Sequence, residues 1–239
     1  MTITPVDLLA IGPHPDDIEI GIGGTVAKHA AAGLRVGLCD LTAGEMGSNG
    51  TVEERLAEAE AARAVLGASW RINLRLPDRG LGRDESQRRA VVELVRQARP
   101  RVVAAPFWSD RHPDHTAASE LVTESVFDAG LRRYPAAGEA WRPQSLCYYF
   151  INDSVTPSFV IDVSDQYDTK RRALACHASQ FRPRSAGAVA TRLTSVRFQQ
   201  LIESRDAQFG ALAGVAFAEG FVVREPLVRP LLVGEERPR

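Results

Sequence analysis

Two short segments hold the residues best suited to chemistry, His14-Pro15-Asp16-Asp17 and Asp110-Arg111-His112-Pro113-Asp114-His115. The chain has five histidines, and three of them lie here; the others are His29 and His177. In both segments a His precedes a Pro, and a second side chain of the same kind of use follows three residues after the first: His14 with Asp17, His112 with His115. Proline is well tolerated in a first helical turn, and positions i and i+3 of a helix face the same way. Two histidines and one carboxylate form a common zinc set that leaves a position open for water. Zinc lowers the pKa of such a water to near 7 and so supplies a nucleophile at neutral pH. The spacing alone does not choose between Asp16 and Asp17 as the carboxylate ligand. Asp16, beside a ligand, can take the proton of the water. His112 can stabilise an oxyanion or protonate a leaving amine, and Asp114 can hold His112 in one tautomer and keep it cationic. A lone His near a strand end is more often a cap or a satisfied core group. Two paired clusters, each behind a strand, argue for a metal site instead.

The surrounding elements place both clusters at strand ends. Val6–Ile11 is a short apolar run closed by Gly12-Pro13 and reads as a buried strand. Glu19 to Ala32 reads as a helix stopped by Gly33. The glycines Gly21, Gly23 and Gly24 are read as tight helix–strand packing, because a phosphate would be repelled by the acidic cluster before them. Arg35–Leu41 is a second strand and Ala43–Gly50 a loop. Thr51 with Glu54 predicts a capping box for a helix running to Leu66, stopped by Gly67. Trp70–Leu76 and Val102–Phe107 read as strands, Glu85–Arg99 and Pro113–Ala129 as helices. This alternation implies an α/β fold, a mostly parallel sheet with helices on both faces. Ligands of such sheets bind beyond the carboxyl ends of the strands, which is where both clusters fall. Further on, Ser145–Ile151, Ser158–Val163 and Val215–Val223 read as strands and Tyr167–Phe181 and Ser195–Phe209 as helices, with a loop from Phe181 to Thr194. We expect a single domain over 1–239: a core at 1–130, a C-terminal α+β portion at 131–233 and a polar tail at 234–239.

Composition excludes several classes of partner. Of 239 residues 25% are charged, yet the formal net charge is -1, so the basic excess that nucleic acid or a membrane surface attracts is missing. No apolar run is long enough for a membrane span, and the N-terminus has no basic, cleavable leader pattern. Cys39, Cys147 and Cys176 are odd in number and without close pairs, which implies reduced thiols and a cytoplasmic protein. His29 and His177 read as packing residues and Tyr148-Tyr149-Phe150 as core aromatics.

Gly12-Pro13-His14-Pro15-Asp16-Asp17 together with His112-Pro113-Asp114-His115 resembles the PIG-L/LmbE-like N-acetylglucosaminyl deacetylase family. Further stretches resemble its bacillithiol-biosynthesis branch: Leu41-Thr42-Ala43-Gly44-Glu45, Asn49-Gly50-Thr51, Glu54-Arg55, Leu76-Pro77-Asp78-Arg79, Tyr148 to Asn152, Ser179-Gln180-Phe181 and Glu219-Gly220-Phe221. The resemblance implies a Rossmann-like three-layer fold and a zinc-dependent hydrolase that frees acetate from a small N-acetyl sugar. It implies His14, Asp17 and His115 as ligands of one Zn2+, with iron or manganese as alternatives. It implies Asp16 as general base, His112 as partner of the oxyanion and Asp114 as the group that tunes His112. Arg55 and Arg111 would bind the anionic group, which in this branch is the malate of N-acetylglucosaminyl malate; a planar guanidinium forks onto a carboxylate. Glu45 would accept sugar hydroxyls, and a homo-oligomer is expected. Two departures stand out: Pro13 replaces the family's usual Ala, and Asp110 stands where the mycothiol branch tends to carry Tyr. The rival readings are a deacetylase or amidase of another small N-acetyl sugar or thiol conjugate, an iron(II) oxygenase, which shares the His, His, carboxylate set, and a non-catalytic sugar- or nucleotide-binding module.

Overall fold

The computed structural model describes residues 3–82, 84–183 and 187–226; the expected tail at 234–239 lies outside them. In chain order the elements are β1 (Leu8–Gly12), α1 (Asp17–Ala31), β2 (Val36–Thr42), α2 (Val52–Leu66), β3 (Trp70–Leu76), α3 (Glu85–Ala98), β4 (Val102–Pro106) and α4 (Pro113–Ala129). There follow β5 (Ser145–Tyr149), β6 (Phe159–Asp162), α5 (Tyr167–Cys176), the short α6 (Ala178–Phe181), α7 (Val196–Ala213) and β7 (Ala218–Val222). The strands form one sheet in the order β3-β2-β1-β4-β5-β7-β6. β1 to β5 run parallel, and β7 is antiparallel to both its neighbours. The sheet is therefore mixed but mostly parallel, as the alternating pattern predicts. No helix among the described residues is long and apolar enough to cross a membrane.

β1 is buried along its whole length, and its side chains alternate between two cores. Leu9 and Ile11 pack with Val91 and Val95 of α3 and Leu121 and Val122 of α4. Leu8 and Ala10 join Ile18 and Val26 of α1, Leu66 of α2 and Ala173 of α5 on the other face. A strand covered on both faces needs apolar residues at every position, which is why its sequence lacks alternation. β1 pairs with β4 through Leu8–Val102, Leu9–Val103 and Ala10–Ala104. The chain winds from β1 toward β3 in one direction and from β4 toward β5 in the other, so the gap beyond these two carboxyl ends is the switch point of the sheet. Both histidine clusters open onto it, although far apart in sequence.

Local signals set most boundaries. The Thr51 hydroxyl accepts from Glu54 N while Glu54 turns back to Thr51, and Gly67 closes α2 in the left-handed region at φ 73°. α4 starts on Pro113 with His112 as its cap. The expected Tyr167–Phe181 helix is divided at His177, whose ψ of 54° leaves the helical region. The last helix runs four residues past Phe209, to Ala213, where Gly214 at φ 76° ends it.

α1 carries a break that local signals do not announce. Ile22 sits at φ -140°, ψ 26°, outside the helical region. The peptide groups freed there are taken up by distant residues. Glu219 accepts from Gly24 N at 2.9 Å and Thr25 N at 2.6 Å, and Arg205 donates to Ile20 O at 2.7 Å. Lys170, fully buried, links Glu219 and Asp206 at 2.7 Å each. Gly21 fits here because a Cβ would overlap the Tyr149 ring, in line with the packing role expected for these glycines.

Candidate active site

His14 follows β1 and is held by the first turn of α1. Asp17 Oδ2 accepts from His14 N at 3.0 Å and lies 2.9 Å from His14 Nδ1. The same oxygen lies 3.4 Å from Nε2 of His115, one turn into α4. Each imidazole meets further carboxylates with its second nitrogen. His14 Nε2 is 3.3 Å from Asp78 and 3.4 Å from Asp114, and His115 Nδ1 is 3.1 Å from Asp110. His14, Asp17 and His115 are all buried. Ligands at about 2.0–2.1 Å from a tetrahedral zinc lie roughly 3.3 Å from one another, and the Asp17 oxygen stands at 2.9 and 3.4 Å from one nitrogen of each imidazole. Carboxylates behind metal-binding histidines fix ring orientation and tautomer, the position that Asp78, Asp114 and Asp110 occupy. Among the described residues, the groups whose donor atoms all fall within 4.8 Å of one another are His14 with His112 and His115, and His14 with Asp78 and Asp114; Asp17 is in neither. The residues present therefore fit a divalent metal.

The electrostatics follow from burial and crowding. Burial would lower the pKa of His115, but Asp17 and Asp110 outweigh it and push it up to about 9. His14 is raised in the same way: burial opposes, and Asp114, Asp17 and Asp78 prevail. Asp17, despite its burial, is held well below the usual carboxylate range by His115 and His14. Asp16 differs. Burial pushes its carboxyl up to about 6, opposed by the Arg55 guanidinium and reinforced by Asp17. Asp16 also stands at φ 134°, a left-handed conformation rare for a non-glycine residue.

Three expected side chains are turned to other partners. The Asp114 carboxylate does not hold His112; it faces His14 and accepts from Arg79 N at 2.8 Å and Arg79 Nη1 at 3.2 Å. The backbone N–H of Asp114 instead donates to His112 Nδ1 at 3.2 Å, which assigns the proton of the neutral ring to Nε2. Burial, with His115 and His14 nearby, pushes the His112 pKa down, so the cationic ring expected from the sequence is disfavoured. Glu45 is exposed and accepts from Asp78 N at 2.7 Å; it braces a loop and is absent from the cleft lining. Arg55 is buried, donating to Gly44 O and Pro15 O.

His14, Asp16, Asp17, Arg55, Asp78 and His112 line a cleft of about 290 Å³. Arg111 and Arg192 stand exposed on its wall. The segment carrying Arg192 is anchored by Asn49, whose amide pairs with Val189 N and Val189 O at 2.9 Å each. Gln180 in turn donates to Asn49 O at 2.7 Å. His177 lies fully buried, its Nε2 3.4 Å from Glu19. Asp78, Asp110 and Asn152 had no assigned role in the sequence. Asp78 was findable, because it follows β3 at the same edge of the sheet.

Comparison with known proteins agrees with this geometry. The profile of the PIG-L family, GlcNAc-PI de-N-acetylase, matches residues 9–126. Diacetylchitobiose deacetylase of Thermococcus kodakarensis is 33% identical over 73% of this chain and 70% of its own length. The 1D-myo-inositol 2-acetamido-2-deoxy-alpha-D-glucopyranoside deacetylase of Rhodococcus opacus is 29% identical over 72% of this chain and 81% of its own. The solved structure of the conserved protein TT1542 from Thermus thermophilus superposes with a TM-score of 0.87 at 41% identity, covering 98% of this chain and 100% of that one. The chain belongs to the PIG-L family of de-N-acetylases.

Proposed function

We propose that this deacetylase removes the acetyl group from an N-acetylglucosamine glycoside with an anionic aglycone, N-acetylglucosaminyl malate of bacillithiol biosynthesis. The observation that carries the reading is the convergence of His14 and His115 on Asp17 Oδ2, at 2.9 and 3.4 Å, beside Asp16. His14, Asp17 and His115 are the metal ligands in this reading. A bound zinc would supply Lewis acidity to the amide carbonyl and a water acidic enough to attack at neutral pH; iron(II) or manganese suits the same donors.

The rest of the reaction falls to the chain's own residues. Hydrolysis consumes one water: its oxygen bonds to the acetyl carbon, the C–N bond breaks, and nitrogen gains a proton. Asp16 takes the proton from the water and passes it to the amine. A carboxyl raised to about 6 by burial is suited to both transfers near neutral pH. His112 carries its proton on Nε2, from which it donates to the oxygen that becomes negative. Asp114 orients His14 through its carboxylate and His112 through its backbone N–H.

Substrate choice rests on the mouth of the cleft. Neither Arg111 nor Arg192 has an ion-pair partner among the described residues, and Arg192 stacks over Phe198 at 5.3 Å. Two uncommitted guanidiniums suit a carboxylate-bearing aglycone. The named relatives act on diacetylchitobiose and on an inositol glycoside, which share the N-acetylated glucosamine unit. Acetate release from N-acetylglucosaminyl malate, diacetylchitobiose and the inositol glycoside tests the assignment. The malate glycoside is expected to show the highest kcat/KM; a preference for either neutral glycoside would refute the anionic aglycone.

A further inference from the structure

We propose that Arg205 is a positioning residue for the metal site: it ties the wall that carries Asp16 and Asp17 to the wall that carries His115. The proposal rests on the ligand set of the reading above. Arg205 lies in α7, is 7% exposed and is absent from the cleft lining. Its guanidinium joins two segments that do line the cleft, at Ile20 and Ile151. Nη2 donates to Ile20 O of α1 at 2.7 Å. Nη1 donates to Phe150 O at 3.0 Å and Ile151 O at 2.9 Å, just beyond β5. Nε donates to Asp206 Oδ1 at 3.0 Å, and Lys170 and Tyr167 hold the other oxygen of Asp206. The guanidinium is therefore aimed from behind while it bonds in front.

The break in α1 gives this contact its role. Ile22 leaves the helical region, so the turn from Asp17 to Gly21 is not steadied by the rest of the helix, and a single helical turn has little stability of its own. Lys170 and Glu219 secure the half beyond the break, at Gly24 and Thr25. On the near side Ile20 N donates to Asp16 O at 2.9 Å, and Ile20 O accepts from Arg205. The opposite wall reaches the other half of the ligand set. Asn152 donates to Asp110 through its backbone N–H at 3.0 Å and through Nδ2 at 2.9 Å. Asp110 Oδ1 stands 3.1 Å from His115 Nδ1. A closed circuit results, from Asp17 through Arg205, Asn152 and Asp110 to His115, and back to Asp17 Oδ2 at 3.4 Å. Arg205 thus sets how the two halves of the site face each other. One planar fork reaches carbonyls on both walls and a carboxylate behind it, which the point charge of a lysine ammonium cannot do.

The test compares wild type with Arg205→Lys and Lys170→Met. Zinc affinity is read by competition with a chelator, and the geometry of the site by the visible spectrum of cobalt(II)-substituted protein. Turnover is read as acetate release from N-acetylglucosaminyl malate at saturating zinc. Both variants cut into one buried network, so both should lower the thermal midpoint. Only Arg205→Lys should weaken zinc binding, about 10–100-fold, and shift the cobalt spectrum. Its kcat should fall about 100-fold, as for reacting groups displaced by an ångström, with KM within about threefold of wild type. Asn152→Ala opens the circuit on the opposite side. It should also weaken zinc binding and shift the spectrum, and it carries the test if Arg205→Lys fails to fold. Wild-type affinity and spectrum in whichever of these two folds, or equal losses in Lys170→Met, would overturn the proposal. A wild type that binds zinc and releases no acetate would overturn the deacetylase reading alone, with the affinities and spectra still deciding for or against the tie.

Discussion

Asp17 presents one oxygen to two imidazoles, and the second nitrogen of each imidazole meets another carboxylate. Without metal, such a site holds protons: His115 is pushed up to about 9 because Asp17 and Asp110 outweigh its burial, so it is cationic at neutral pH. A metal requires the neutral ring, so binding must release protons, and affinity should rise as pH goes from 6 toward 9. Calorimetry in buffers of different ionisation enthalpy will show that release; heats independent of buffer would contradict it. Asp78→Ala, which removes a carboxylate behind His14, should weaken zinc binding roughly 10–100-fold, read by competition with a chelator. Asp16→Asn should lower kcat about 10²–10⁴-fold and leave zinc bound; undiminished turnover would remove Asp16 from the role of base. At this scale the sequence was informative about which residues gather, because His and Asp spacing on a first helical turn is a local matter. It was poorly informative about which way Arg55, Glu45 and Asp114 face. Those orientations are set by carbonyls and N–H groups of other loops, such as Gly44 O and Arg79 N.

The break in α1 shows where legibility ends among the elements. The α2 cap, the proline start of α4 and most strand limits follow from residues within a turn of the boundary. The non-helical Ile22 does not, since the groups that satisfy it, Glu219 and Arg205, lie some 190 residues further on. Sequence patterning reads a helix there and misses that its two halves are joined through the C-terminal portion. Lys170 is the centre of that joint, fully buried between Asp206 and Glu219. Lys170→Met would leave the buried Glu219 without its cation, while Asp206 keeps Arg205 at 3.0 Å; breaking such a buried pair costs about 3–5 kcal/mol. At roughly 2–4 °C per kcal/mol for a chain of this size, the thermal midpoint should fall by roughly 6–20 °C. A midpoint unchanged within a degree would show that the joint contributes no net stability.

Across the whole molecule, a buried ion-pair network ties the first helix to the sheet beneath the site. Arg71 of β3 meets Asp40 of β2 at 2.7 Å and Glu19 of α1 at 2.5 Å. Burial would raise the Glu19 carboxyl, but Arg71 and His177 outweigh it and hold it down at about 2. A depressed folded-state pKa contributes stability that is present above the unfolded value of about 4.3 and is lost as pH falls toward 2. The urea midpoint should therefore drop between pH 5 and 2, and the drop should be shallower in Glu19→Gln. The same parallel strands bring β1 and β4 side by side at the switch point, and so bring together two clusters that the sequence keeps far apart. Alternation of strand and helix foretold that arrangement, while the antiparallel β7 between β5 and β6 lay beyond local pattern. In the proposed function, a metal held by His14, Asp17 and His115 makes this fold a deacetylase of an N-acetylglucosamine glycoside. The most direct test of that function is acetate release from N-acetylglucosaminyl malate by protein stripped of metal and then restored with one equivalent of zinc. Activity abolished on stripping and recovered on restoration is the predicted result; equal release by stripped and restored protein would contradict the account.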